Sequence, residues 1–233
     1  MFWCEVPRDV VQVHGADAAS YLQSQLSQDL RPVEVGQSAW TFLLQPTGKV
    51  DVLARVWRTA EETFVLDTDA GFGDTMVARI NRFKIRVKAD VTPLSWRCVA
   101  VRGVPAPAGS LVAWGDGFDL LGDRIEAPAD VPEGSADDLL AARVEAAWPA
   151  MGAEIVPGET IPAETGITDR AVSFTKGCYP GQELVERMDS RAVTAPRLLR
   201  TLWAADVAEL GATVTSTHGD RVLAYVPRRS LAQ

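Results

Sequence analysis

Along the chain, the spacing of apolar residues switches repeatedly between a period of two, which is typical of strands, and a period near 3.6, which is typical of helices. Alternation or compact apolar runs predict strands at residues 11–13, 39–44, 50–57, 63–66, 85–91, 96–101, 198–203, 211–216 and 221–226. Helical spacing predicts helices near residues 18–26, 74–83, 135–147 and 182–188. Helices interspersed with antiparallel-type strands indicate an α+β fold.

Two strand segments carry more specific expectations. Residues 50–57 follow a turn at 45–49 and are expected to form the second arm of a hairpin with one buried face. Residues 85–91 also alternate between apolar and polar side chains, which predicts an antiparallel strand with Arg86 and Lys88 on its solvent-exposed face.

The helix starts are marked by residues that commonly cap helices. Asp17 and Asp74 are expected to cap the first two helices with their side chains. Ser135 is expected to begin the third, with Asp138 supplying a negative charge to its first turn.

Composition places the chain among folded, soluble proteins. Of its 233 residues, 47% are hydrophobic and 23% charged, which is near the average for globular domains. Uncharged stretches such as 35–48 are shorter than the ~18 apolar residues of a membrane helix, so no membrane span is expected. The opening residues place Glu5 where a secretory leader would carry cations, which predicts a cytoplasmic protein.

The cysteines and histidines exclude several kinds of site. Cys4, Cys98 and Cys178 lie far apart and form no CxxC pair, so neither a disulfide framework nor a permanent metal site is expected. His14 and His218 offer little to a histidine-based mechanism.

Charge is distributed unevenly along the chain. The formal net charge is −8, which disfavours direct binding of nucleic acid over most of the surface. Residues 170–233 nevertheless carry 9 Lys and Arg against 6 Asp and Glu, so a cationic pocket for a small anionic ligand is compatible with the C-terminal third.

The segment around Cys178 carries the most chemical information. Lys176 lies two residues before the thiol, and a helix that begins near Gln182 would direct unpaired N–H groups towards the sulfur. Both effects favour the thiolate, which makes Cys178 and Lys176 candidate catalytic residues. The alternative is that Cys178 is a small buried filler and its neighbouring glycines only shape a turn.

Residues 176–183, Lys-Gly-Cys-Tyr-Pro-Gly-Gln-Glu, resemble the K-G-C-(F/Y)-x-G-Q-E signature of the YgfZ family. These folate-binding proteins are related to the glycine-cleavage T-protein and are implicated in iron–sulfur cluster assembly or repair. The likeness continues through Ile161-Pro162-x-Glu164, Pro46-x-Gly48-Lys49 and other short motifs, so it covers nearly the whole chain.

The resemblance implies a fold and a domain division. It implies a T-protein-like folate-binding fold, in which antiparallel sheets and packed helices surround a central channel. Residues 1–195 would form this region, and residues 196–233 would form a small C-terminal β unit. Because the segment after Trp203 is shorter than in relatives, that unit is expected to be a trimmed barrel.

The resemblance also implies folate contacts. Arg143 and Glu145 match the T-protein segment that reaches its folate, and a carboxylate can accept two hydrogen bonds from the amino-pyrimidine edge of a pterin. Tyr179, Gln182 and Glu183 of the motif are expected to contact the folate as well. The alternative for Glu145 is a solvated helix residue or an internal partner of Arg143.

Further candidates follow from residue chemistry. Arg187 and Arg191 could meet the glutamate tail of a folate, or could form the basic side of a helix. Asp51 stands near the place where the T-protein activates its folate, but alternation would also put it on the exposed side of its strand. The three aromatic residues Tyr21, Trp40 and Phe42 are candidates for the wall of a pterin site, with core packing as the alternative.

The resulting hypothesis is a folate-binding accessory protein that supports iron–sulfur cluster assembly or repair and, through it, tRNA modification. Its cofactor would be tetrahydrofolate, bound in one cleft with Cys178, and its partners would be iron–sulfur proteins or their assembly factors. Two alternatives remain open at this point. One is an aminomethyl transferase acting on tetrahydrofolate, for which the acid at Asp51 followed by Val52 is a poor match. The other is a tRNA-binding module, which the acidic balance disfavours.

Overall fold

The computed structural model describes residues 1–190 and 195–231, which form three antiparallel sheets with packed helices. The strands are β1 (Phe2–Glu5), β2 (Arg8–His14), β3 (Ser38–Leu44), β4 (Val50–Ala60), β5 (Thr63–Asp69), β6 (Asp90–Leu94), β7 (Arg97–Arg102), β8 (Gly117–Gly122), β9 (Arg197–Trp203), β10 (Thr213–His218) and β11 (Arg221–Pro227). The helices are α1 (Ala18–Gln25), α2 (Gly73–Asn81), α3 (Ala136–Glu145), α4 (Thr168–Ala171), α5 (Gln182–Ser190) and α6 (Val207–Leu210). The expected α+β class is confirmed. No helix in residues 1–190 and 195–231 is long and apolar enough to span a membrane.

The largest sheet has the strand order β3-β4-β5-β2-β6. Its first two strands form the predicted hairpin around the turn at 45–49. The single buried face expected for residues 50–57 is wrong, because β4 is buried on both faces from Val52 to Val56. One face packs against α1 and α2, and the other faces the centre of the molecule.

The first two helices begin where the sequence predicts, but not by the predicted contacts. Asp17 occupies the N-cap of α1, yet its side chain accepts a hydrogen bond from the backbone N–H of Lys88 instead of capping the helix. Phe72 is the N-cap of α2, and Asp74 lies inside its first turn. Tertiary contacts therefore replace the local caps at both helix starts.

The predicted strand at residues 85–91 is wrong over most of its length. Strand β6 begins only at Asp90, and residues 82–89 form a surface loop. Arg86 adopts a left-handed conformation with φ +57°, which interrupts an extended chain. The alternating sequence pattern of this segment thus marks no strand.

Two smaller sheets complete the fold. One has the order β1-β7-β8 and the other the order β10-β11-β9. The latter packs on α3, which starts at Ser135 with a full capping box to Asp138, as the sequence predicts. Strands β9, β10 and β11 correspond to the expected C-terminal β unit, and the domain boundary at residue 195 stays a prediction.

Candidate functional site

Two of the three sheets, the five-stranded sheet and the sheet β1-β7-β8, face a central cavity of about 190 Å³. It is lined by strands β2, β3, β5, β7 and β8, by helix α3 and by the segment that follows α3. The lining residues used below are Arg8, Trp40, Asp69, Arg102, Trp114, Asp119, Arg143 and Trp148. Three tryptophans and five charged residues thus surround a single space.

The tryptophans form aromatic walls of the cavity. The ring centroids of Trp40 and Trp148 are 4.7 Å apart, with 54° between the ring planes. On another side, the Arg102 guanidinium lies 4.1 Å from the ring centroid of Trp114. Flat, polarisable walls of this kind suit a planar heterocyclic ligand.

A buried ionic network forms the floor of the cavity. The Arg55 guanidinium donates to Asp67 Oδ1 at 2.9 Å and to Asp119 Oδ2 at 2.6 Å. Arg102 donates to the other oxygen of Asp119 at 2.8 Å, and Arg8 donates to Asp67 Oδ2 at 2.8 Å. These contacts link five strands from two sheets.

The network contains as many cations as anions, since Arg8 also pairs with Asp69. Burial alone would raise the pKa of Asp119, but the guanidinium groups of Arg55 and Arg102 hold it below its usual value. The carboxylates in turn raise the pKa of Arg55, against the effect of its burial. Asp119 and Arg55 therefore stay charged at neutral pH. Because its cations and anions are equal in number, the network has no excess cation for a phosphate.

Two polar atoms in the cavity walls lack partners. Among the residues that the structure describes, neither Trp40 Nε1 nor Arg102 Nε has a hydrogen-bond acceptor, and both atoms are buried. A buried N–H group without a partner costs free energy. A ligand that carries ring acceptors would remove that cost.

A second cavity of about 450 Å³ shares Arg102 and Trp114 with the first. Glu145, the predicted pterin contact, lines this second space and accepts hydrogen bonds from Arg221 at 2.8 and 3.3 Å. Together the two spaces fall within the range of ~300–1,000 Å³ that is typical of ligand sites.

Arg143 lines the central cavity, but its guanidinium is engaged elsewhere. It donates to Glu154 Oε2 at 2.7 Å, to the Trp148 carbonyl at 3.1 Å and to Ser216 Oγ at 2.7 Å. These bonds tie α3 to the C-terminal sheet and position Trp148. Arg143 therefore holds Trp148 in place beside the cavity.

Cys178 does not line the central cavity. The sulfur lies on an exposed loop, whereas Cys4 and Cys98 are buried. This loop packs against the hairpin turn, where a Cβ on Gly181 would lie 2.5 Å from the Gln45 carbonyl oxygen. Trp40 lies five residues earlier on the same hairpin, roughly 16 Å along an extended strand. The sequence analysis expected the thiol and the folate to share one cleft, but Cys178 is not among the residues that line the central cavity.

Lys176 is buried and holds the Cys178 loop in place. Its ammonium donates to the backbone carbonyls of Gln23 and Leu26, each at 2.5 Å, and of Gln28 at 3.1 Å. These carbonyls belong to the C-terminal end of α1 and the residues after it, so the cation meets the negative end of the helix. Lys176 therefore anchors the loop, and its ammonium group is hydrogen-bonded to backbone carbonyls.

We expect the Lys176→Met variant to differ from the wild type in the pH dependence of its stability. Burial lowers the pKa of Lys176 to about 8 from the ordinary 10.5. Between these values the unfolded chain binds more protons than the folded one, so this group makes the free energy of unfolding rise with pH. Urea unfolding measures this free energy. Between pH 8 and 10.5, the free energy of unfolding of the wild type should rise by up to about 3 kcal/mol relative to that of Lys176→Met.

The control for this prediction is Lys49→Met in the exposed hairpin turn, which should keep the wild-type pH dependence. Parallel stability curves for the wild type and Lys176→Met between pH 8 and 10.5 would contradict a lowered pKa for Lys176 and would show that the carbonyl contacts offset the cost of its burial.

The other motif residues lie around the same loop. Tyr179 is buried in the core, and burial together with Glu186 raises the pKa of its phenol to about 12. Gln182 begins α5 and accepts a hydrogen bond from the Tyr179 N–H at 3.3 Å. Glu183 and Arg187 are exposed on α5.

The remaining predicted residues are separated from the cavity. Asp51 accepts a hydrogen bond from Gln45 Nε2 at 2.8 Å and lies 3.7 Å from Arg79, on the helix-covered face of its sheet. Arg191 lies outside the described residues. Their roles as folate contacts stay predictions.

Sequence reasoning missed most of the cavity. Of the aromatic candidates, Trp40 lines it, whereas Tyr21 and Phe42 belong to the hydrophobic core. One sequence signal could have indicated the buried network beneath the cavity. Arg55 and Asp67 are charged residues within otherwise hydrophobic strands. A charge at such a position is rarely buried unless it has a partner.

Comparison with known proteins supports the resemblance. No family model matches the chain. It is 29% identical over 226 residues to the iron–sulfur cluster assembly factor IBA57 of Mus musculus, covering 82% of this chain and 63% of that protein. The Homo sapiens IBA57 is 27% identical, with 92% of this chain and 71% of that protein covered. An uncharacterized protein of Haemophilus influenzae is 27% identical, with 78% and 66% covered.

The fold has a known counterpart. The glycine cleavage system aminomethyltransferase T from Bartonella henselae superimposes with a TM-score of 0.69 at 17% identity, covering 97% of this chain and 78% of that one. This match confirms the T-protein-like fold, and the relatives confirm the resemblance to the YgfZ family. The chain spans roughly two thirds of the length of the mouse and Haemophilus proteins.

Proposed function

We propose that the chain is a folate-binding protein that supports iron–sulfur cluster assembly, with a reduced folate in the central cavity and Cys178 acting on a cluster carried by a partner protein. The relatives named as iron–sulfur cluster assembly factors support the process, and the T-protein-like fold supports the cofactor. Cys178 and the cavity serve as two separate sites in this proposal.

The tryptophan-lined cavity with two unpartnered N–H donors carries the folate proposal. The pyrimidine half of a reduced pterin is planar, so it can lie against Trp40, Trp114 and Trp148. Its N1 atom and its carbonyl oxygen are acceptors for the N–H groups of Trp40 and Arg102 that lack partners in the described part of the chain. The residues present therefore fit the ring of a folate.

Charge supports a neutral ring over an anion in the central cavity. Every cation of the ionic network is balanced by a carboxylate, and Arg143 is balanced by Glu154. The charged glutamate tail of a folate would then extend out of the central cavity. The second cavity beyond Arg102 and Trp114 provides a path for it.

The exposure of Cys178 supports the second half of the proposal. A thiol on a surface loop is accessible to a protein-bound cluster, and thiolates are the usual protein ligands of iron–sulfur clusters. The buried Cys98 contrasts with it, since burial raises the pKa of that thiol to about 12 and keeps it protonated.

We expect Trp40→Phe to weaken tetrahydrofolate binding by roughly 2- to 10-fold, because it removes one indole N–H and keeps an aromatic wall. Trp57→Phe is the matched control, since the buried indole N–H of Trp57 also has no partner among the described residues, and Trp57 does not line the cavity. Calorimetric titration under anaerobic conditions measures both affinities. Equal weakening by the two changes, or none by Trp40→Phe, would argue against the cavity as the folate site.

Glu145→Ala tests how far the ligand extends. If the anionic tail of the folate runs through the second cavity, loss of the Glu145 carboxylate removes a like charge from its path and should strengthen binding in the same titration. Arg221→Gln is the control, because it frees the Glu145 carboxylate without removing it. Unchanged affinity in Glu145→Ala would confine the ligand to the tryptophan cavity.

A further inference from the structure

The surface loop of residues 82–88, called the basic loop below, combines exposed apolar and cationic side chains. Ile85 is 79% exposed and Phe83 is 39% exposed. The loop carries the four cations Arg82, Lys84, Arg86 and Lys88. Within the described part of the chain, none of these four forms an ion pair with a carboxylate, and residues 75–89 include no acid. In a chain of net charge −8, this is a local excess of positive charge.

The basic loop is held at both ends. The Asp17 N–H donates to the Lys88 carbonyl at 3.1 Å, and the Lys88 N–H donates back to Asp17 Oδ2 at 2.8 Å. On the other side, the Tyr21 hydroxyl donates to the carbonyl of Ile80, in the last turn of α2, from which the loop continues. Such a loop is preformed, so little conformational entropy is lost when a partner binds it.

The aromatic ring of the loop is fixed by its neighbours. The guanidinium groups of Arg79 and Arg82 lie 5.2 and 5.5 Å from the Phe83 ring centroid. Phe83 thus supports the loop from one side, and Ile85 remains as its apolar tip.

We propose that the basic loop is a docking surface for an acidic protein, whose apolar depression receives Ile85 and whose carboxylates face the loop cations. A buried apolar contact ringed by charges is the arrangement of protein interfaces. Nucleic acid fits less well, because an aliphatic tip does not stack on bases and the remainder of the chain repels a long polyanion. An anionic membrane meets the same repulsion.

Helix α1 lies between the basic loop and the Cys178 loop. Asp17 at the start of α1 bonds to Lys88 of the basic loop, and Lys176 contacts the carbonyls at the end of α1. The helix has eight residues and is roughly 12 Å long. One partner can therefore cover the basic loop and reach the exposed thiol. This link to Cys178 rests on the proposed function, whereas the docking surface itself does not.

The test begins with a photo-crosslinker at the loop tip. The Ile85→p-benzoylphenylalanine chain is expressed in its own cells and irradiated, and the Val214→p-benzoylphenylalanine chain serves as the control, with the crosslinker on the exposed face of β10. We expect an adduct at position 85, and not at position 214, with a protein of net negative charge.

The partner identified in this way is then purified and its affinity measured by calorimetry. Ile85→Ser should weaken binding roughly 10-fold, and Lys84→Glu/Lys88→Glu should weaken it further and reduce its salt dependence. Arg124→Glu is the control charge reversal, because the Arg124 side chain is 93% exposed and lies outside the basic loop. Melting temperatures of all variants check that each one folds.

The outcomes separate the alternatives. No specific adduct at position 85, an adduct with a basic protein, or an affinity that Ile85→Ser leaves unchanged overturns the docking surface. Salt-sensitive binding of purified tRNA or of phosphatidylglycerol vesicles that Lys84→Glu/Lys88→Glu abolishes also overturns it in favour of those ligands. An acidic partner without an iron–sulfur cluster supports the surface and removes its link to the proposed function.

Discussion

Replacement of Cys178 by serine is expected to abolish the proposed support of iron–sulfur enzymes, while the fold and the proposed binding of tetrahydrofolate remain. The side chain is exposed and lies outside the cavity lining, so the change disturbs neither core packing nor the tryptophan walls. Serine lacks a thiolate that could bind iron. The measurement is the activity of cellular iron–sulfur enzymes in a strain that lacks the native chain and carries the variant.

Cys4→Ala is the control for this experiment. The Cys4 thiol is buried, and burial together with nearby carboxylates raises its pKa, so this sulfur is neither accessible nor ionised. The Cys4→Ala chain should support the enzymes as the wild type does. Full support by Cys178→Ser would show that the motif cysteine serves only the local structure of its loop.

Arg55→Met is expected to destabilise the protein by about 3–5 kcal/mol, because it leaves the buried carboxylates of Asp67 and Asp119 without their shared cation. For a chain of this size the melting temperature should fall by roughly 6–15 °C. Thermal unfolding followed by circular dichroism measures the effect.

Two comparisons isolate the electrostatic cause. Arg97→Met removes an ion pair whose side chains are 53% and 54% exposed, and it should leave the melting temperature nearly unchanged. Adding Asp119→Asn to Arg55→Met should restore part of the loss, since an amide tolerates burial better than an unpaired carboxylate. If the added change lowers stability further, packing rather than charge explains the effect.

Local sequence signals predicted the elements that depend on local contacts. The hairpin of β3 and β4 and the capping box at Ser135 are set by residues within a few positions of each other, and both are confirmed. Residues 85–91 show the limit of such signals. Their alternation predicts a strand, but the bonds between Asp17 and Lys88 hold the end of this segment in a loop.

The motif around Cys178 predicted the similarity to iron–sulfur cluster assembly factors but not the geometry. Lys176 was expected to favour the thiolate, yet its ammonium binds carbonyls about 150 positions earlier in the chain. The cavity was missed for the same reason, since Arg55, Asp67 and Asp119 come from three strands and meet only through tertiary folding. Such contacts between distant segments leave no periodic trace in a sequence.

The most direct test is the indole N–H spectrum of the protein during titration with tetrahydrofolate. The chain has seven tryptophans, so ¹⁵N labelling gives one side-chain signal for each. We predict that the Trp40 signal shifts on saturation, as its N–H gains an acceptor, and that the Trp57 signal stays in place. Binding that leaves the signals of Trp40, Trp114 and Trp148 unchanged would contradict a folate in the central cavity.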